Sequence, residues 1–466
     1  MPDSCLRAAL DAVRPTEHRT HTASLCGRTL STAFQPIYSL SHSRAVGHEA
    51  LLRAIDENGN PVSPLRLFEE VPPAEAAWCD TLSRVMHLFN FAEQAPPNHW
   101  LFLNIRPEAL MALAEPAQIG FLTALLHRMG ISPSLIVLEL LESAIPPGEA
   151  FLSAIGTLRS HGMLIALDDF GAGHSNFDRV WRIQPDIVKL DRSLITAMAE
   201  DPGRLRAVSQ TVSVLHEAEA LVLMEGIETA REAMLALESD VDLVQGFYFA
   251  RPHPELDRRP RHEGIVTLHG ELARFRAAQR ERQKSLLAPF QNAIGYAGVL
   301  LSAGRSLDEA ARSFLALPGA LVCFVLDDAG FQVGPNVGAE DRHPAQGPDF
   351  SPLTQAEGAC WARRPYFKRA LQSPGRVQVT RPYRTLGGRG MTITVSYAFQ
   401  QAQPVGTQDP VWRVVCGDVS WAAGGVRHDG PPFLTPAAEA LQVSAALHGE
   451  AGLGTMPGTT DFPLHP

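Results

Sequence analysis

The sequence predicts an α/β fold: a (β/α) barrel followed by a smaller domain. Three observations carry that expectation. Six short apolar runs in the first half each end in a polar residue: 101–103 at Asn104, 135–138 at Glu139, 164–167 at Asp168 and Asp169, 187–188 at Lys189, 221–224 at Glu225, and 243–244 at Gln245. A buried parallel strand reads as a continuous apolar run. The polar ends lie 35, 29, 21, 36 and 20 residues apart, and a helix crossing back needs roughly 20 residues or more. Strand, polar tip and helix, repeated, is the pattern of a barrel whose strand ends build one site. Finally, the chain has 466 residues, and such a barrel takes about 250 of them, which leaves room for a second domain.

The elements follow in order. Residues 1–30 lack strong periodicity; 8–13 reads as a helical turn ended by Pro15, with no function assigned. Residues 34–40 and 45–52 read as two strands joined by the polar turn 41–44. Helices are expected at 78–94 and 117–129, the second closed by Gly130. Pro252, Pro254 and Pro260 among charges mark a domain edge at 251–261. Residues 268–287, with Leu268, Leu272, Phe275 and Leu286 as an apolar stripe, read as a connecting helix bent or ended near Pro289. Ser306 and Glu309 fit a capping box that opens a helix over 307–317, closed by Pro318.

After Pro318 the periodicity becomes that of strands. Residues 320–326 and 331–333 read as a hairpin around 327–330, 376–381 and 391–399 flank Gly387 and Gly388, and 411–421 is a further strand. From Gly424 onward Gly, Pro, Ala and Thr dominate. That tail is expected to be disordered, apart from a short helix at 436–447 with Thr435 as its N-cap.

Composition narrows the function. Apolar content of 45% and charged content of 19% are those of an ordinary soluble protein. The net charge of −10 argues against DNA as a partner. It leaves open a small phosphate ligand, because a metal can supply positive charge. The six cysteines (Cys5, Cys26, Cys79, Cys323, Cys360 and Cys416) form no C-x-x-C pair, as expected for reduced thiols in a cytoplasmic protein. No apolar stretch reaches the roughly 20 residues of a membrane helix. The first residues, with Asp3 and Asp11, do not read as a secretory signal.

Glu49, Asn104, Glu139, Asp168, Asp169 and Glu225 offer only oxygen donors, a set that suits Mg²⁺ or Mn²⁺ rather than structural zinc. Adjacent carboxylates at Asp168 and Asp169 repel each other unless cations bridge them. Two metals about 3.5–4 Å apart are the usual clamp for phosphodiester hydrolysis. Lys189 adds a fixed charge that can orient water or stabilise a developing phosphorane. Each residue alone has a plainer explanation: a turn or helix cap for the Asp pair, a solvated strand end for Lys189, a surface ion pair for Glu225. Six together at barrel spacing are hard to explain that way. His174 reads either as a ligand or as a loop histidine facing solvent or a partner subunit.

Glu49-Ala50-Leu51-Leu52-Arg53 resembles the signature of the EAL domain family of cyclic di-GMP phosphodiesterases. The resemblance continues through Phe34-Gln35-Pro36-Ile37, Leu103-Asn104-Ile105, Leu138-Glu139-Leu140-Leu141-Glu142-Ser143 and Asp168-Asp169-Phe170-Gly171-Ala172-Gly173. It then takes in Asp186-Ile187-Val188-Lys189-Leu190-Asp191, Glu225-Gly226-Ile227-Glu228-Thr229 and Gln245-Gly246-Phe247. It implies a modified TIM (β/α)8 barrel with one antiparallel strand, and hydrolysis of cyclic di-GMP to linear pGpG. By resemblance, Glu49, Asn104, Glu139 and Asp168 hold one metal, and Asp168, Asp169 and Glu225 serve the second. Lys189 and Gln245 hold the hydrolytic water, and Glu225 is also a candidate base. Gln35, Leu52 and Arg53 resemble substrate contacts, Arg53 towards a phosphate. Glu142 resembles the brace of the loop over 169–176. The chain departs from the family at Leu141, Ala172, His174 and Met224, where Thr, Thr, Tyr and Ala are common; none is a proposed ligand. Dimerisation is a family expectation.

The stretch Cys360-Trp361-Ala362-Arg363-Arg364-Pro365-Tyr366-Phe367, with the strands after it, resembles the α+β PAS/Cache-like domain that follows the EAL domain in YkuI-type proteins. It implies a regulatory domain taking an unknown small ligand or partner. Trp361, Arg364 and Tyr366 either line its pocket or close the core of its sheet. The domains expected are an extension over 1–29, the barrel over 30–255, a mainly helical linker over 256–305, the regulatory domain over 306–423 and the tail over 424–466. Two readings stand beside catalysis: a silent cyclic di-GMP receptor and a partner-binding scaffold.

Overall fold

Eight strands close into a barrel: β1 (Arg28–Ser39), β2 (Arg44–Ile55), β3 (Trp100–Asn104), β4 (Ile136–Leu141), β5 (Leu164–Phe170), β6 (Ile187–Leu190), β7 (Leu221–Met224) and β8 (Leu243–Val244). The structure, a computed structural model, describes residues 3–17, 20–94, 98–146, 148–173, 177–338, 356–384, 391–401 and 411–421. Strand β1 runs antiparallel to both of its neighbours, β2 and β8. The pairings from β2 through β8 are all parallel. The antiparallel strand follows from the tight turn after β1, since a short turn can return the chain only antiparallel.

Helices between the parallel strands cover the outside. They include Pro73–Gln94, Pro116–Arg128, Glu149–Ser160 and Ala230–Glu238, the last opened by a complete capping box of Thr229 and Glu232. The barrel interior is filled by Ile37, Phe102, Val137, Ala166, Ile187, Leu223 and Leu243, one from each of seven strands. The eighth strand, β2, contributes Gly47: a Cβ there would lie 2.9 Å from the Phe102 ring and 3.0 Å from Trp100 Cβ. A large ring on β3 therefore requires the missing side chain on β2.

The start of the chain holds more structure than its weak periodicity suggests. Asp3–Ala12 is a helix, and His21–Leu25 pairs antiparallel with β1. Leu6, Ala9 and Val13 pack with Leu25, Leu30, Val85 and Met86. Positions 6, 9 and 13 share one helical face, a three-residue stripe too short to stand out in sequence.

The chain divides into two compact units, with the boundary after Leu272. That point lies inside one helix, Glu263–Ser302, which does not end near Pro289 but continues past it. The proline removes one backbone donor; the next turns are held by buried Phe290, Ala293, Ile294 and Ala297. Ser306 caps the helix Leu307–Leu315 by accepting from the Glu309 N–H, while the Glu309 carboxylate faces Arg305 at 3.7 Å.

The second unit is α+β. Its sheet contains β9 (Ala320–Leu326), β10 (Gln332–Gly338), β11 (Met391–Gln401) and β12 (Val411–Ser420), in the order β10-β9-β12-β11. The expected strand at 376–381 is instead two short pairings with β11, Gln378–Val379 and Tyr383–Arg384. One sheet face packs Ile393, Val395, Val415 and Val419 against Ile294, Ala297 and Phe314. The other packs Phe324, Val414 and Cys416 against Tyr366, Phe367 and Ala370 of the helix Pro365–Gln372.

Tyr366 thus belongs to the core of the sheet, and Trp361 packs at its margin while donating to Gln332 Oε1. Arg364 lies over the Tyr383 ring at 5.7 Å. Asp418, on the same face as Cys416, is 9% exposed and accepts from the Thr394 hydroxyl at 2.7 Å. Burial pushes its carboxyl up to about 6, against the pull of that hydrogen bond. The Gly387-Gly388 turn, the helix at 436–447 and the tail from 424 lie outside the described residues. Among the described residues, no single helix is long and apolar enough to cross a membrane.

Candidate active site

Strand alternation builds the site. Side chains two residues apart share a face. Asn104, Glu139, Asp168, Lys189, Glu225 and Gln245 each come two residues after an interior apolar residue: Phe102, Val137, Ala166, Ile187, Leu223 and Leu243. Glu49 stands in the same relation to Gly47. The apolar plug therefore continues into a polar ring at the C-terminal ends of the parallel strands.

The ring closes on Lys189. Its ammonium, 1% exposed, lies 2.7 Å from Glu139 Oε1, 2.7 Å from Glu225 Oε1, 3.1 Å from Asp168 Oδ1 and 3.7 Å from Glu49 Oε2. The Asn104 amide donates to Glu49 Oε1 at 3.2 Å, and the Gln245 amide to Glu49 Oε2 at 2.9 Å. Glu49 is thus fixed by the strands on either side of its hairpin.

One ammonium faces four carboxylates, of which Glu49, Glu139 and Asp168 are buried and Glu225 is half-buried. Burial would lower the Lys189 pKa, but the four carboxylates outweigh it and hold the group well above its ordinary value. Burial raises Glu139 well above the carboxylate range despite the pull of Lys189. Burial likewise pushes Glu225 up to about 8, with Asp168 and Glu49 adding to the rise. Among the described residues, Lys189 is the one group within 2.7 Å of Glu139 Oε1 and Glu225 Oε1, and Glu139 Oε2 has no hydrogen-bond donor.

Asp168 and Asp169 separate as a pair. The β5–β6 register shifts between Leu167 and Phe170, and Asp169 takes a left-handed φ of 58°. Asp168 is buried at 8% exposure, whereas Asp169 faces solvent beside it. Burial first, then the neighbouring Asp168, raises the Asp169 pKa. One bulged residue lets both carboxylates sit at a single strand end.

The substrate candidates divide by strand parity. Arg53, half-buried, shares the Glu49 face of β2, and Gln35 lies directly across from Glu49 on β1. Leu52 does not join them. It is one residue out of phase and packs outside the barrel with Leu30, Ala54 and Val62, so its side chain faces away from the site. Glu142 is buried, and both its backbone carbonyl (2.8 Å) and its Oε1 (3.3 Å) accept from Arg179 Nη1. Arg179 carries no sequence signal, because its partner lies 37 residues away. Leu141 is 44% exposed, Ala172 is exposed and Met224 is buried. His174 lies outside the described residues.

The donor set fits a hard divalent cation. Four carboxylates and an amide supply only oxygen, and a single ammonium stands against the four carboxyl groups. Among the described residues, no three acidic, histidine or cysteine side chains already stand at a cation's ligand positions; the Lys189 ammonium takes the middle of the ring.

The EAL domain model matches residues 20–252, half of the chain. Among curated relatives, the cyclic di-GMP phosphodiesterase RocR of Pseudomonas aeruginosa is 32% identical over 158 residues, 33% of this chain and 39% of RocR. The probable cyclic di-GMP phosphodiesterase PdeB of Escherichia coli is 27% identical over 258 residues, 53% of this chain and 47% of PdeB. The chain spans less than half the length of these relatives. The crystal structure of Bacillus subtilis YkuI, a protein with an EAL domain in complex with cyclic di-GMP and calcium, shares the fold. Its TM-score is 0.70 at 20% identity, covering 84% of this chain and 96% of YkuI. With the barrel, its one reversed strand and the match over residues 20–252 in agreement, the chain belongs to the EAL domain family.

Proposed function

We propose that this protein hydrolyses one phosphodiester of cyclic di-GMP to give linear pGpG, in bacterial second-messenger signalling, with Mg²⁺ or Mn²⁺ bound. The observation that carries this reading is the ring of four carboxylates around Lys189. In this reading Glu49, Asn104, Glu139 and Asp168 hold one cation, and Asp168, Asp169 and Glu225 hold a second. Such cations polarise the phosphate and make water acidic enough to attack.

The chain's own residues do the rest. Glu225, in the ring beside Lys189, takes the proton from the attacking water. Lys189 and Gln245 orient that water, and the Lys189 ammonium opposes the charge that develops on phosphorus. Arg53 and Gln35 engage the nucleotide, Arg53 at a phosphate. Glu142, tied to Arg179, steadies the loop after Asp169.

We assign the barrel to residues 30–255, after an extension over 1–29, and a linker to 256–305. A PAS/Cache-like regulatory domain over 306–423 adjusts the activity of a homodimer through a small ligand or partner, and a tail follows. The test is incubation of the purified protein with cyclic di-GMP and Mn²⁺ or Mg²⁺, with chromatography for pGpG. Nucleotide binding without product would make the protein a silent receptor; neither binding nor product would leave a scaffold.

A further inference from the structure

Lys189 stands where the proposed cations would be drawn. Its ammonium is 1% exposed and lies within 2.7–3.7 Å of Glu139, Glu225, Asp168 and Glu49, the same oxygens that make the ring a hard-cation site. Its strand, β6, lies between β5, which carries Asp168, and β7, which leads to Glu225. Buried Val188 and Leu190 on either side hold the backbone in place, whereas the lysine stem has four rotatable bonds and can carry the charge elsewhere. Like charges cannot share one small oxygen cage without strong repulsion at low dielectric.

We propose that Lys189 is an internal competitor for the divalent cation: it neutralises the ring in the metal-free protein, and its ammonium must withdraw for metal to bind. This inference rests on the reading of the ring as a metal site. It has two consequences. The metal-free barrel keeps a counter-ion and so folds without metal, at the cost of weaker metal affinity. An anionic phosphodiester offers the displaced ammonium a new partner, so nucleotide and cation strengthen each other's binding, and by linkage the coupling is equal in both directions.

The test is a Mn²⁺ titration of metal-stripped full-length protein, with free Mn²⁺ read by electron paramagnetic resonance, alongside thermal melting. Lys189→Met should bind Mn²⁺ at least tenfold more tightly than wild type. It should melt lower than wild type without metal, and Mn²⁺ should raise its melting temperature by more. If Lys189→Met does not fold without metal, Lys189→Gln purified with Mn²⁺ and titrated with a chelator gives the same affinity comparison. Wild type that binds Mn²⁺ with equal or higher affinity than the variant would overturn the competition and leave the metal site standing. Wild type and variant both failing to bind Mn²⁺ would overturn the competition and the metal reading together.

Discussion

Two buried acidic environments in this protein behave differently. At the barrel mouth, four carboxylates surround one ammonium, at 2.7–3.7 Å. In the second unit, Asp418 sits alone on the core face of β12, and its donor is the Thr394 hydroxyl. Asp418 can relieve its burial by taking a proton, because among the described residues no ion pair holds it and its pKa is pushed up to about 6. The barrel ring differs in holding a cation: burial raises Glu139 and Glu225 as well, but Lys189 pulls against that rise. A buried acid with hydroxyl neighbours is a proton site. A ring of acids around a lysine carries a surplus of charge that suits a cation.

The largest effect expected from breaking the contrast is catalytic. Glu225→Ala should lower turnover of cyclic di-GMP by about a thousandfold or more, with an unchanged circular dichroism spectrum; wild-type turnover in this variant would end the assignment of Glu225. Next comes Asp418→Asn. A carboxyl whose folded pKa is raised from 3.8 to about 6 costs stability as pH climbs through that window and keeps costing above it. Asn does not ionise, so the variant should gain up to about 3 kcal/mol at pH 8 and nothing near pH 4. Denaturant melts at the two pH values decide this, and a gain equal at both would show that Asp418 is not the titrating group.

Smaller effects sharpen the difference further. Glu139→Gln removes a carboxyl whose ionisation burial already opposes, and should stabilise the metal-free protein by about 1–2 kcal/mol at pH 8 while weakening Mn²⁺ binding. A loss of stability in the metal-free state would mean that Lys189 needs all four partners. Thr394→Val takes the donor from Asp418, and should cost about 1 kcal/mol at pH 8 and less at pH 4. An equal loss at both pH values would trace the effect to packing at Thr394 instead.

The barrel was legible because its chemistry and its fold share one pattern. A parallel strand buried on both faces must be apolar throughout, so Asn104, Glu139, Lys189 and Gln245 stand out at the ends of such runs. The face of Leu52 was not legible in the motif, since a family signature does not state strand parity. The course of the helix through Pro289 was hidden as well. Local propensity marks a break there, and only the packing of Phe290 and Ile294 overrides it. Asp418 drew no notice in sequence because one acid in an apolar run reads as a strand edge, whereas β12 lies between β9 and β11.

The hydrogen bond from Gln245 to Glu49 joins residues 196 positions apart. It bridges the last barrel strand and the opening hairpin, so no fragment that stops short of β8 contains the complete ring. During synthesis the carboxylates of β2, β4 and β5 therefore leave the ribosome well before Lys189 and Gln245 arrive to balance and fix them. A nascent chain holds them apart as a surplus of exposed acid, and long-range closure of this kind is slow.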